Sequence, residues 1–433
     1  MKKRIILKHR QEKRILAGHP WVYDNEVKEI RGPSGPTVLE PGETADVESA
    51  DKTYLGRALV NPRSKIIARI YSPSKEGIDK GFFKRRFREA VKRRNYDFSC
   101  KSCRLVFAEA DFLPGLIIDR FTGWSLNDVE RAVSGSPLSF SMVKNVLGRP
   151  HSWLSIQFLT FGMDRRREEI LAALDEALAL ETPGSAPDGI IEKSGAKVRE
   201  LEGLPMTEGL IRGSFPENGI VIFENGLPFV VHIEGGQKTG HFLDQSENRA
   251  FAASLVRPGG SVLDAFCYTG GFGVHLVRSG AAQVTAVDVS ASALAALRKN
   301  ASLNAVEHAI TSVQGDVFEI LRSMERAKEK FDMVVLDPPA FAKNHMVLEN
   351  AARGYKEINL RGLRLLKPGG ILATFSCSQA LNEYRFRRII ADAALDAERR
   401  LHQIAFRCQP PDHPILLGYD ESFYLKAGFY RVI

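Results

Sequence analysis

A chain of 433 residues that is 44% hydrophobic has enough apolar material for two or three packed domains rather than one. No run approaches the roughly 18 consecutive apolar residues of a membrane span, and the basic start Met1-Lys2-Lys3-Arg4 leads into no signal-like stretch. Five cysteines scattered at 100, 103, 267, 377 and 408 do not make a disulfide framework, so a reducing, cytoplasmic setting is expected.

The net charge of +8 is uneven. Residues 1–100 hold 23 Lys and Arg against 13 Asp and Glu, a balance of +10, while the remaining 333 residues stand at −2. A basic front end on a near-neutral body suits a polyanion-binding module joined to a working domain. A surface rich in lysine for solubility alone would show the same excess.

Residues 1–75 read as short strands, Arg4–Lys8, Ala45–Glu48, Tyr54–Val60 and Ile66–Tyr71, separated by Gly-Pro and Asn-Pro turns. They predict a small β-barrel. From Phe82 to Arg94 the period changes: Phe83, Phe87, Ala90 and Val91 share one face of a helix, and cations including Lys84, Arg85, Arg88 and Arg93 fill the other. That face could lie on RNA, or it could simply be solvated. Residues 76–187 then mix strand-like runs, 116–119 and 153–159, with a helix beginning near Arg165, and predict an α+β middle domain. Thr182-Pro-Gly-Ser-Ala-Pro-Asp188 is the expected linker to a third domain, 188–433.

The third domain opens with a hairpin turning at Asn225-Gly226. Strand runs at 261–265, 283–288, 309–314, 331–336 and 370–375 then alternate with helical segments at 243–255, 272–279, 290–303 and 351–366. This alternation predicts a Rossmann-like, doubly wound parallel sheet with its ligand at the carboxyl ends of the strands. The chemistry-bearing residues gather there. The first strand runs into Ser261-Val-Leu-Asp264-Ala-Phe266-Cys-Tyr268-Thr269-Gly270-Gly271-Phe-Gly273, whose glycines permit a tight turn and close approach of a ligand to the backbone. Asp288, at the end of the second strand, is placed to accept from ribose hydroxyls. Asp316 follows the third strand, within reach of an adenine amine. A dinucleotide fingerprint would need Gly where Leu276 stands, so the set Asp264, Asp288 and Asp316 points instead to S-adenosylmethionine.

Asp337-Pro338-Pro339 ends the fourth strand, where the prolines stiffen the turn and the aspartate can accept from a nucleobase amine or ring N–H. An ordinary Asp-Pro turn is the plainer reading. Cys377, in Phe375-Ser376-Cys377-Ser378 after the fifth strand, is the candidate nucleophile: a thiolate adding at carbon 6 of a pyrimidine makes carbon 5 nucleophilic toward a methyl donor. A buried inert cysteine is the bland alternative. Cys267 lies within the cofactor loop, Cys408 has no evident partner, and Cys100-x-x-Cys103 lacks a second pair with zinc-site spacing, so no metal is expected.

Long strings also carry a family resemblance. They are Gly18-His-Pro-Trp21-Val-Tyr23, Asn61-Pro-Arg63-Ser64, Glu109-Ala-Asp-Phe-Leu-Pro-Gly-Leu-Ile-Ile-Asp-Arg120, Gln237 to Arg249, Cys267 to Phe272, Asp337-Pro-Pro-Ala-Phe341, Arg353 to Asn359, Phe375 to Ser378, Asp412-His-Pro414 and Tyr424-Leu-Lys426. The chain resembles, over nearly its whole length, the bacterial class I S-adenosylmethionine-dependent large-subunit (23S) rRNA cytosine-5 methyltransferases, in which a PUA-like domain and a middle domain precede the catalytic one. The resemblance implies a donor pocket completed by Lys238, Thr239, Gly240, Asp244, Gln245 and Arg249 beside Phe266, Tyr268 and Thr269. It also implies a base faced by Asp337, a covalent step by Cys377, and RNA contacts that include Trp21 and Arg63. A homodimer is a further expectation, and no membrane association is expected. Two departures stand out: an insertion of roughly 123–151, expected as a loop or added helix, and Phe112 where the family often has Gly. Two alternatives remain at this stage. One is methylation of a base nitrogen through Asp-Pro-Pro without a cysteine, for which Phe341 is one residue late; the other is a non-catalytic RNA-binding assembly factor.

Overall fold

The computed structural model describes residues 2–94, 100–133, 137–184, 186–233, 241–341 and 348–433, which form three seven-stranded sheets in chain order. The first sheet has the strand order Trp21–Tyr23, Ile66–Ser72, Tyr54–Val60, Thr44–Glu48, Lys3–Leu7, Val27–Gly32, Gly35–Pro36. It packs around Ile5, Leu7, Val22, Val47, Ala58 and Val60. The basic helix spans Lys80–Arg94 and buries Phe83, Phe87, Ala90 and Val91 as its period predicts. These residues pack against the helix Arg167–Glu181 and the second sheet.

The second sheet overturns the expected linker. Gly189–Ser194 pairs in parallel with His151–Phe158, Thr207–Gly213 extends that edge, and the hairpin Ile220–Glu224/Leu227–Val231 joins the other side of the sheet through Leu116–Ser125. The strand that follows residue 188 therefore belongs to this sheet and not to a third domain. The reason is non-local hydrogen bonding, with the Asp188 carbonyl and carboxylate both tied to neighbouring strands. The insertion completes the strand Leu116–Ser125 and adds helices Leu126–Ala132 and Phe140–Leu147. Leu126, Val129 and Val143 cover Val221, Phe223 and Leu303, which joins the hairpin to the third sheet's helix Ala291–Leu303. Phe112 sits at φ 59°, a left-handed backbone that a glycine would adopt without cost, and its ring lies under Arg86.

The third sheet has the order Ile310–Gln314, Gln283–Asp288, Ser261–Ala265, Phe331–Leu336, Leu366–Ser376, Lys426–Val432, Leu401–Arg407. Its first five strands are parallel, as predicted, and Lys426–Val432 inserts antiparallel between the last two. Sequence periodicity does not reveal that insertion. Leu263 and Ala265 face the helices Val317–Arg326, Leu348–Leu365 and Glu383–Asp396, while Val262 faces the helices on the opposite side, so both faces of the sheet are covered.

Where the hairpin meets the second sheet, a Cβ at Gly123 would lie 2.0 Å from the Val221 carbonyl oxygen. Gly123→Ala should therefore lower stability by about 1–3 kcal/mol, the usual cost of overpacking, read as a fall in unfolding midpoint against denaturant.

Candidate active site

The loop after Ser261–Ala265 is wound tightly, with Phe266 at φ 62°, Tyr268 at φ 49° and Gly270 at φ 80°. Two of these are bulky residues in a region that favours glycine, so the surroundings must hold the conformation. They do so by hydrogen bonds: Gly273 N–H donates to Asp264 Oδ2 at 2.9 Å, Tyr268 N–H to Asp288 Oδ2 at 2.9 Å and Cys267 N–H to the Val287 carbonyl at 3.0 Å. Asn300 Nδ2 donates to the Thr269 carbonyl at 2.9 Å. A Cβ at Gly270 would approach Leu297 Cγ to 2.7 Å, so packing and backbone both require glycine there.

The acids at the strand ends differ in state. Asp264 is fully buried; desolvation, reinforced by the charges of Asp337 and Asp288, pushes its carboxyl up to about 8. Its Oδ1 has no hydrogen-bond partner among the described residues and is a buried acceptor open to a ligand donor. Asp288 has both oxygens on backbone N–H groups, of Tyr268 and Ser290. Asp316 caps the helix Val317–Arg326, accepting from Phe318 N–H at 2.8 Å and Glu319 N–H at 3.2 Å, a local structural role that the sequence reading did not foresee.

Behind the loop lies a buried ion pair that sequence reasoning missed. Glu224, the last residue of its strand, accepts from Arg249 Nε at 2.6 Å and Nη2 at 2.7 Å, and His241 Nε2 lies 3.0 Å away. Burial alone would raise the Glu224 carboxyl, but the Arg249 guanidinium and His241 outweigh it and hold it well below its ordinary range. Arg249 in turn backs the glycine loop, since a Cβ at Gly271 would meet its Cδ at 2.9 Å. The signal available in the sequence was an apolar strand, Ile220-Val-Ile-Phe, ending in a carboxylate.

Two residues close to Arg249, Asn248 and Gln245, lead to the Asp-Pro-Pro corner, which itself bonds the strand before the donor loop. Asn248 Nδ2 donates to Gln245 Oε1 at 2.8 Å, Gln245 Nε2 donates to Asp337 Oδ1 at 3.0 Å, and Asp337 N–H reaches the Ala265 carbonyl at 3.3 Å. Asp244 accepts from the Tyr424 hydroxyl at 2.6 Å. Pro338 is buried, and Lys238, Thr239 and Gly240 lie outside the described residues. The structure thus brings Asp244, Gln245, Arg249, Asp264, Phe266, Tyr268, Thr269, Gly270, Gly271, Asp288 and Asp337 into one region at the strand ends.

Cys377 is half-buried immediately after Leu366–Ser376, the strand adjacent to the one that ends at Asp337. Tyr355 and Lys426 bond the next residue, Ser378, and Tyr424 precedes the strand that pairs with Ser376. Tyr355 bonds Ser378 Oγ at 3.0 Å, and burial pushes its phenol up to about 12. Burial also pushes Cys103 up to about 12 and raises Cys267 and Cys408, which disfavours a thiolate at those three positions.

The expected RNA-contact residues divide. Lys84 pairs with Glu176, Arg85 with Glu76, Arg88 with Glu181 and Arg93 with Asp111, so much of the helix's charge is neutralised within the chain. Trp21 Nε1 donates to Glu109 Oε1 at 2.9 Å, and its ring packs edge-on against His19 and Tyr419, joining all three parts of the chain. Arg63 is exposed and has no carboxylate within ion-pair distance among the described residues.

Comparison with known proteins gives the class first: residues 203–431 match the family model for an S-adenosylmethionine-dependent methyltransferase, and residues 5–73 that for a PUA-like domain. Proteins named ribosomal RNA large subunit methyltransferase I from Shewanella denitrificans and Shewanella amazonensis are 39% and 40% identical, each over 99% of both chains. The chain belongs to this family of S-adenosylmethionine-dependent methyltransferases. A methyltransferase structure from Streptococcus mutans has the same fold, with a TM-score of 0.77 at 19% identity over 99% of this chain and 100% of that one. A second methyltransferase structure, solved with SAH, also gives 0.77, at 20% identity and the same coverage. S-adenosylmethionine is therefore the cofactor, and the glycine loop together with the unsatisfied Asp264 Oδ1 fits it.

Two measurements follow from these charges. Glu224→Ala leaves Arg249 buried without its carboxylate and should cost about 3–5 kcal/mol of stability, with weakened cofactor binding in calorimetry. Folded Asp264 holds its proton more tightly than the unfolded chain does. Its contribution to stability is therefore complete below pH 3.8 and disappears as the pH rises through about 8. Unfolding free energy measured across that window should fall less steeply in Asp264→Asn than in the wild type.

Proposed function

We propose that the protein methylates carbon 5 of a cytosine in RNA, with large-subunit 23S rRNA as the substrate class, through a transient covalent bond to Cys377. The printed names of the full-length relatives support the rRNA substrate, and the PUA-like domain supports RNA engagement. The observation that carries the chemistry is the half-exposed Cys377 at the strand end next to Asp337, while burial raises three of the other four cysteines.

In this reading the Cys377 thiolate adds to carbon 6 of the cytosine, forming a C–S bond and placing the electron pair at carbon 5. S-adenosylmethionine, when bound, supplies an electrophilic methyl group on a sulfonium centre. Carbon 5 takes that methyl as the sulfur–methyl bond breaks and its electron pair stays on the donor's sulfur; the carbon-5 proton then departs to solvent, the double bond re-forms and the Cys377 thiolate is expelled. Asp337, oriented by Gln245, accepts from the base amine or a protonated ring nitrogen and fixes the ring against the thiolate. Arg249, Asp264, Gly270, Gly271 and Asp288 hold the donor from the other side, joined by Lys238, Thr239 and Gly240. Asp316 contributes at the adenine end while capping its helix. Arg63 supplies a phosphate contact from the front module. Domain limits of 1–75, 76–187 and 188–433 are retained for function, with the second sheet borrowing strands from the third segment. A cytoplasmic location accords with ribosomal RNA as substrate, and no described helix is long and apolar enough to cross a membrane.

The test is methyl transfer from labelled S-adenosylmethionine to rRNA from a strain lacking the gene. Wild type should yield 5-methylcytidine, and Cys377→Ala should lose at least about a hundredfold in rate, on the order of a lost nucleophile. Label on an exocyclic amine, or full activity in Cys377→Ala, would reject the covalent reading.

A further inference from the structure

Lys426 is an unusual residue to find in a sheet interior. It is 1% exposed, on the antiparallel strand inserted late in the third sheet, and lies directly opposite Ser376, the residue before Cys377. Its Nζ donates to the carbonyls of Ser378 and Tyr424, each at 2.7 Å, and no carboxylate lies within ion-pair distance of it among the described residues. A buried ammonium held only by carbonyls is costly unless another negative charge sits nearby. The candidate for that charge is the neighbouring thiolate.

We propose that Lys426 is a positioning residue for the methyl transfer, a fixed cation that stabilises the thiolate form of Cys377 and holds the Ser376–Ser378 turn in place. The inference rests on Cys377 being the nucleophile. Tyr355 and Tyr424, which also face Cys377, are pushed upward by burial and are neutral at physiological pH. Asp244 is engaged by the Tyr424 hydroxyl, and Arg104, near Tyr424, is held by Asp119. Among the described residues, Lys426 is thus a cation held beside the cysteine turn. Burial pulls its ammonium down and the Cys377 charge offsets part of that, which leaves it at about 8, so the charge persists at neutral pH. One of its carbonyl partners, Ser378, is the residue after the cysteine, and the other, Tyr424, leads into the lysine's own strand, so the same side chain ties the cysteine turn to that strand.

The test is the rate of iodoacetamide alkylation of Cys377 against pH, followed on the Cys377 peptide by mass spectrometry in the full-length protein without RNA. Relative to wild type, Lys426→Met should move the midpoint up by about one pH unit and lower reactivity below the midpoint about tenfold. Lys426→Arg, which keeps the charge, should restore most of it, and the acid limb of kcat/KM for transfer should move in step. If Lys426→Met does not fold, as judged by S-adenosylmethionine binding, Lys426→Gln keeps a donor for the two carbonyls without the charge and should show the same shift. Superposable profiles for wild type and a folded uncharged variant would overturn the proposal. Failure of the covalent reading itself would appear separately, as transfer retained by Cys377→Ala.

Discussion

The buried pair between Glu224 and Arg249 is the constraint on which the site depends. Glu224 belongs to a hairpin of the second sheet, Arg249 to the helix Ser246–Ser254 that introduces the third, and the two side chains meet in two short hydrogen bonds with His241 and His275 around them. Because Arg249 also supports the glycine loop from behind, the strained turn at Phe266, Tyr268 and Gly270 is braced by a residue whose own charge is compensated from another sheet. Without that carboxylate the buried guanidinium would keep the Phe242 carbonyl but lose its compensating charge. The donor loop therefore takes its shape from both sheets together.

The same logic of charge placement sorts the groups at the strand ends. Asp264, with no ion-pair partner among the described residues, is driven toward its neutral form, whereas Asp288 is satisfied by two backbone N–H groups and Asp337 accepts from Gln245. Ser376, the residue before Cys377, sits across from Lys426. Acids gather at one strand end and the cysteine follows its neighbour, an arrangement suited to bringing an electrophilic methyl group and a nucleophile to one base.

Much of this was legible in the sequence because it is local. The alternation of strands and helices from 261 to 376, the glycine loop and the buried face of the basic helix all depend on residues within a few turns of one another. What escaped depends on distant partners. The hairpin at Asn225-Gly226 was recognisable as a hairpin, yet its sheet is fixed by pairing with Trp124 and Gly123, a hundred positions earlier in the chain. Arg88 and Lys84 looked free until the second helix brought Glu181 and Glu176 opposite them, and Trp21 looked available for RNA until Glu109 and Tyr419 closed around it. Lys426 was visible as part of Tyr424-Leu-Lys426, but only the antiparallel insertion of its strand places it beside the cysteine turn.

The central claim is that Cys377 bonds to the base during transfer, and covalent trapping tests it most directly. An rRNA fragment carrying 5-fluorocytidine, whose carbon 5 cannot release a proton after methylation, is incubated with protein and S-adenosylmethionine and the product is digested for mass spectrometry. The account predicts an RNA adduct on the peptide that contains Cys377. Methylated RNA with no adduct, or an adduct on another cysteine, would contradict it.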